Sequence, residues 1–294
     1  MDSLRCLEDN IELGHLDRES FLARHKLMGH PSLSLDNLGK VLPALPPANV
    51  MYSKSLLANG DDFETTFRDR PEGVSVSEVL ESIRESSSYI MISSPEKHPS
   101  FQDLFRELKS DVEVLMRRRG VGGEAMMAKL YLFIASPNQI TPFHVDRYST
   151  ILMQFRGNKT ITVFPQWQDA VVKSEDLEAY CDYERTKLPW SVAMEKYGKP
   201  YTFAPGDAVH IPFMAGHHVA NGSDDVSISL SIIFNTNETL VWRNALCMNH
   251  RLRQRLPLVG RGASPVGRSA LRDQVKDFTY RGIGYVARRI GREW

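Results

Sequence analysis

The chain has 294 residues, 42% of them apolar, with 36 basic and 36 acidic side chains. It is long and apolar enough to bury a full core, and a net charge of zero gives no overall attraction to nucleic acid or to a membrane surface. Three cysteines, Cys6, Cys181 and Cys247, lie far apart with no CxxC or metal-finger spacing, which suits a reducing cytosol. The acidic start lacks the apolar stretch of a signal peptide, and no apolar run reaches the roughly 18 residues of a membrane span. The expected location is cytoplasmic.

In chain order, residues 1–124 read as an α/β prelude. Residues 18–28 predict a helix burying Phe21 and Leu22. Residues 34–42 predict a second helix, capped by Ser34 and ended by the prolines that follow. Residues 50–53 and 89–93 predict strands. A helix opening at Ser75 or Ser77 runs to Ser86. Residues 101–118 predict a long helix with Leu104, Phe105, Leu108 and Val112 along one face. Gly120, Gly122 and Ala125 match a dinucleotide-binding fingerprint literally. The turn follows a helix and leads into a strand, the reverse of what that fingerprint needs, so it reads as the end of a basic helix.

Residues 125–236 are strand-rich and form the expected core. An insert at 166–200 holds the acidic residues Glu175, Asp176 and Glu178 and five aromatics. It is either a substrate-covering segment or a helix packed on the core. Residues 227–234 alternate serine with apolar residues and should close the core. Residues 237–294 predict two helices, the second broken near Gly282, with Leu252, Leu256 and Val259 continuing the apolar face of the first. From Glu238 on there are 12 Lys+Arg against 4 Asp+Glu. Packing or dimerisation through the apolar face is the first reading of this tail, a solvated cover the second and nucleic-acid binding the last.

The chemistry is concentrated in Thr141-Pro-Phe-His144-Val-Asp146. In extended chain, residues two apart point to the same side, and Pro142 biases the residue before it away from helix. His144 and Asp146 can therefore aim at one point. A third ligand is offered by a Pro-Gly-Asp turn at 205–207, a short buried strand, and a tight connection framed by Pro212 and Gly216, after which His217 opens a strand. Two histidines and one carboxylate make the facial triad that leaves positions open on Fe(II). His210 and His218 compete for the third place. His210 should be packed or hydrogen-bonded, and His218 should face away from His217. The same His-x-Asp spacing at His15 and Asp17 lacks this context and reads as solvated. Lys159 follows a hairpin signal at Gly157-Asn158. It is either a solvated strand end or the cation that a buried dicarboxylate needs.

The combination T-P-x-H-x-D, then G-x-K on the following hairpin, then P-G-D…I-P…H-x-V-x-N, resembles the jumonji-C (cupin-like) 2-oxoglutarate oxygenases over residues 125–236. It is most similar to their small bacterial members and to the protein asparaginyl hydroxylases. The resemblance implies an α+β, mainly β chain with a double-stranded β-helix (jelly-roll) core. It implies Fe(II) on His144, Asp146 and His217, and 2-oxoglutarate held at its distal carboxylate by Lys159 with the Thr141 hydroxyl beside it. It also implies a polar residue on the last core strand near the cosubstrate, Ser229 or Ser231, and a homodimer through the C-terminal helices. The implied reaction is hydroxylation of a C–H in a protein, peptide or small molecule, with release of succinate and CO2. An aspartate as acidic ligand favours this over N-methyl demethylation. The rival readings are a non-catalytic cupin-like regulator using its basic tail, and a cupin enzyme without 2-oxoglutarate, which would leave Lys159 and Thr141 without a role.

Overall fold

The computed structural model describes residues 3–9, 11–53, 56–66, 83–85 and 87–291. Eleven strands among them build two antiparallel sheets. In chain order they are β1 (Phe21–Arg24), β2 (Val50–Ser53), β3 (Tyr89–Ser93), β4 (Met126–Ala135), β5 (Ile140–Val145), β6 (Ser149–Arg156), β7 (Lys159–Val163), β8 (Lys199–Phe203), β9 (Asp207–Ile211), β10 (Gly216–Asn221) and β11 (Ser227–Asn235). The larger sheet has the order β1-β9-β6-β11-β4-β3-β2 and the smaller β5-β10-β7-β8. From β5 onward the chain passes back and forth between the sheets, the winding of a jelly-roll core.

The two sheets share an apolar interior. Leu152, Val209 and Ile211 of the larger sheet pack with Ile161, Val163, Phe203 and Val219 of the smaller. The larger sheet is covered on its other face as well. There Leu130, Leu132, Leu230 and Ile232 pack with Leu104, Leu108 and Val112 of the helix Pro99–Arg119. Burial on both faces explains why every residue of β11 is buried although its sequence alternates serine with apolar residues. The turn into β7 needs Gly157, whose φ is +68° and whose missing Cβ would lie 2.6 Å from the Val226 carbonyl oxygen.

Several expected elements are present. The helix Leu35–Ala44 is capped by Ser34, which accepts from the Asn37 N–H. The helix Pro99–Arg119 ends on Gly120 in the left-handed conformation. Others need correction. Residues 18–28 are not a helix: Phe21–Arg24 is strand β1, with Phe21 and Ala23 buried and Leu22 50% exposed. Pairing with β9, Phe21 opposite His210, overrides the local helical pattern. The last helix, Ala270–Arg289, runs unbroken through Gly282, whose missing side chain leaves open space. Leu256 and Val259 are exposed rather than part of an apolar face. The helix expected from Ser75 or Ser77 to Ser86 lies outside the described residues except for 83–85, which form a turn.

The insert is packed. Its helix Ser174–Cys181 lies against the helix Asn237–Arg255. Glu178, 1% exposed, accepts from Arg253 at 2.7 Å and Asn249 at 2.9 Å, and Asp182 takes Arg251 through two bonds of 2.9 and 3.0 Å. The acidic cluster is therefore used as a clamp on the basic tail.

The N-terminal segment is tied down by one buried carboxylate. Asp111 accepts the backbone N–H groups of Arg5, Cys6 and Leu7 at 2.9, 2.7 and 3.0 Å. Asp111→Ala would orphan three donors, two of them in buried bonds, and is expected to cost about 3 kcal/mol. Urea unfolding of the two proteins measures it, with Asp111→Asn retaining part of the loss.

Candidate metal and carboxylate site

The pairing of β5 with β10 decides the geometry. The register sets His217 opposite His144, and β10 carries an irregularity between His217 and Val219. Their rings lie 4.2 Å apart between centroids. The Asp146 carboxylate sits between them, Oδ1 at 3.9 Å from His144 Nε2 and Oδ2 at 3.9 Å from His217 Nε2. One donor atom from each of the three residues lies within 4.8 Å of the other two.

The orientation of each ring is set by its other nitrogen. His144 Nδ1 donates to the Pro142 carbonyl at 2.7 Å, and His217 Nδ1 donates to the Ala215 carbonyl at 3.1 Å. A carbonyl can only accept, so both Nδ1 atoms carry hydrogen and both Nε2 lone pairs face Asp146. Thr150 donates to Asp146 Oδ2 at 2.9 Å and fixes the carboxylate. Burial and the neighbouring His217 push the His144 pKa down to about 3, against the opposing pull of Asp146. The imidazole is thus neutral, with its lone pair available. Two imidazole nitrogens and one carboxylate, each held by a hydrogen bond to its far side, suit a divalent transition metal.

A pocket of about 700 Å³, counted out to its mouth, opens from these residues and is lined by both sheets. Lys159 reaches it from β7. Its side chain is buried, 5% exposed, and Nζ donates to Ser229 Oγ at 2.6 Å. No carboxylate among the described residues lies within ion-pair distance of it. Burial alone lowers its pKa to about 7. Thr141 lines the same pocket, and its hydroxyl is 3.1 Å from the Tyr89 hydroxyl. The two serines left open by the sequence take different places. Ser229 contacts Lys159, whereas Ser231 lines the pocket.

The competing histidines are engaged elsewhere. His210 Nε2 accepts the Asp17 N–H at 3.0 Å and Nδ1 donates to the Thr150 carbonyl at 3.1 Å. His218 pairs with Glu195 at 3.0 Å. Asp17 is a correction: far from solvated, it is 2% exposed, and Oδ1 accepts from Ser149 Oγ at 2.5 Å and the Phe213 N–H at 3.1 Å. Burial raises its pKa to about 6. A second cluster, Asp182, Glu184 and His250, has comparable spacing. Its carboxylates already hold Arg251, Gln254 and His250, so it is an ion-pair network.

Residues that the sequence did not single out include Phe63, stacked on His144 at 4.2 Å, and Thr150 and Tyr89. Phe63 and Tyr89 come from the prelude, at 81 and 55 positions before His144, and no local pattern marks them.

A family model of the cupin-like domain matches residues 45–239. The chain belongs to the cupin-like family. No curated protein matches it in sequence. Among solved structures it is similar to the Escherichia coli ribosomal oxygenase YcfD, with a TM-score of 0.50 and 11% identity over 96% of this chain and 68% of that one. YcfD in complex with cobalt and 2-oxoglutarate matches with a TM-score of 0.47 and 13% identity, covering 94% and 68%. The cupin domain of Drosophila melanogaster CENP-C gives 0.24 and 13%, covering 35% and 59%. The chain spans 65% to 68% of the length of the YcfD structures. The match at 0.50 concerns the fold alone, and with the cupin-like family model it agrees with the expected jelly-roll core.

Lys159 makes stability depend on pH. Its folded pKa of about 7 lies below the ordinary 10.5, so between these values the unfolded chain binds more protons, and stability rises as pH rises through that window. Lys159→Met is expected to be the more stable protein at pH 7 without any ligand. Its advantage should shrink toward pH 10, as read from urea midpoints at both pH values.

Proposed function

We propose that this protein is an Fe(II)- and 2-oxoglutarate-dependent oxygenase that hydroxylates a C–H of its substrate. The observation that carries the reading is the pairing, in one pocket, of the His144–Asp146–His217 donor set with a buried lysine that lacks a carboxylate partner among the described residues. His144, Asp146 and His217 would hold the metal. The bound metal would supply oxygen activation coupled to decarboxylation of 2-oxoglutarate to succinate. Lys159, with Thr141 and Tyr89 nearby, would bind the distal carboxylate, since a buried cation without a counter-charge is costly and a dianion removes that cost. Ser229 would steer Lys Nζ, and Ser231 offers a hydroxyl within the pocket. A cupin enzyme that does not use 2-oxoglutarate would leave Lys159 and Thr141 without a role.

Calorimetry without oxygen tests this with Mn(II) first and 2-oxoglutarate second. Metal-dependent binding is expected, with His144→Ala and Asp146→Ala losing it and Lys159→Ala weakening it about 100-fold, the scale of breaking a buried charge pair. Metal binding without 2-oxoglutarate binding would overturn the reading. Because free Lys159 titrates near 7, binding at pH 8 should take up a proton and affinity should fall as pH rises. Titrations in two buffers of different ionisation heat measure that uptake, which Lys159→Met should abolish.

The tail favours self-association over nucleic acid. The exposed residues Leu271, Val275, Phe278, Tyr285 and Val286 of the last helix fall at spacings that share one face. A second copy of the chain would cover that stripe. Sedimentation should show a dimer that Phe278→Glu dissociates; a monomeric wild type would overturn it. No helix among the described residues is long and apolar enough to cross a membrane.

A further inference from the structure

The pocket has two unlike ends. Along β11 the residues Ser229, Ser231 and Ile233 share one face and pair with Phe133, Tyr131 and Lys129 of β4. Lys159 reaches Ser229, so the far end of this row, at Lys129, is the end away from the buried cation. Tyr131 and Tyr148 line the pocket there and are only partly buried. Lys129 Nζ lies over both rings, at 4.7 Å from Tyr131 and 5.9 Å from Tyr148.

A second cation reaches the same place. The ladder between β11 and β4 is irregular between Ile233 and Asn235, and opposite this break Met127 takes a φ of +54° and stands 51% exposed. Such a break re-aims a side chain at the rim of a site. Met127 Sδ is the acceptor for Arg243 Nη1 at 3.1 Å, a weak partner for a guanidinium. Arg243 and Lys129 are both near enough to Tyr148 for their charges to act on its phenol. Arg147, next to Asp146 in sequence, is sandwiched between Tyr180 at 3.9 Å and Tyr183 at 4.1 Å.

Among the described residues, these two cations lack an acidic partner. Elsewhere Arg156, Arg251 and Arg253 are met by carboxylates. Among the described residues no carboxylate comes within ion-pair distance of Lys129 or Arg243. Glu96 feels the charge of Lys129, but its carboxylate takes the Leu130 N–H. Cations at the mouth of a cleft with apolar walls focus their field outward and draw anions in.

We propose that this rim selects a substrate bearing a carboxylate, seated between Lys129 and Arg243, while the C–H to be oxidised reaches down to His144, Asp146 and His217. The proposal rests on the oxygenase reading above. The probes are an acetylated glutamate-rich hexapeptide, its glutamine counterpart and N-acetylglutamate, titrated without oxygen into protein loaded with Mn(II) and 2-oxoglutarate. The glutamate peptide is expected to bind at least about tenfold more tightly than the glutamine one, with the advantage falling as salt is raised. Lys129→Met combined with Arg243→Met should erase the advantage, while Lys129→Arg alone keeps most of it. N-acetylglutamate binding as well as the peptide would assign a small acid; binding of the peptide alone would assign an acidic polypeptide. Equal binding of the two peptides, or none, in protein that still takes up 2-oxoglutarate overturns the rim. Failure to take up 2-oxoglutarate instead overturns the oxygenase reading and the rim with it.

Discussion

The cross-strand pairing of His144 with His217 is the constraint around which the rest is arranged. It works only if β5 and β10 are neighbours in register, because a slip of one residue would turn one imidazole out of the pocket. Gly216 permits the approach: a side chain there would lie 2.8 Å from the Phe143 ring. The hydrogen bonds from both Nδ1 atoms to local carbonyls then hold the rings without help from distant residues. Asp146 is less self-sufficient and depends on Thr150, near the start of β6 in the opposite sheet. The site is thus shared by both sheets, and its geometry is a property of how they pack.

Placing a lysine in an apolar interior costs stability, and the protein bears that cost at the closed end of its pocket. Lys159 is steered by one serine and faces the cavity. Such an arrangement has little structural purpose, since a methionine would fill the space more cheaply. On the oxygenase reading proposed above, it would be a half-built ion pair that a ligand completes. At the open end Lys129 is only partly buried and lies over aromatic rings, which costs far less. The two ends therefore treat positive charge differently, as an anchor inside and as a collar outside.

Elements outside the central strands support this arrangement. Strands β1, β2 and β3 extend the larger sheet, and Tyr89 and Phe63 bring side chains from the first hundred residues to the pocket. This agrees with a family match that starts at residue 45 rather than at the first motif-bearing strand. On the other side the insert and the C-terminal helices close on one another through Glu178, Asp182, Arg251 and Arg253. The positive excess of the tail is thus partly neutralised where it packs, and the uncovered part of the last helix is apolar as well as basic.

Much of the centre was legible in the chain itself. His144 and Asp146 share a side of a strand by the two-residue period of extended backbone, and Pro142 favours that backbone. The downstream Pro-Gly-Asp turn and tight connection pointed to His217, and the hairpin before Lys159 placed that cation at a strand start. These are local rules, so sequence could state them. What the chain could not state was anything that depends on which strands become neighbours. A segment patterned like a helix became edge strand β1 because β9 offered an unpaired edge. Asp17, with the same spacing to a histidine as Asp146, became a buried acceptor because Ser149 of β6 and Phe213 of the turn between β9 and β10 arrive beside it. Ser229 and Ser231, indistinguishable by pattern, were separated by the reach of Lys159 from the facing sheet. Sequence determined the donors and their local aim, since those follow from backbone period and turn chemistry. Tertiary structure alone decided their partners, because long-range pairing and burial set which charges are left without a counter-charge.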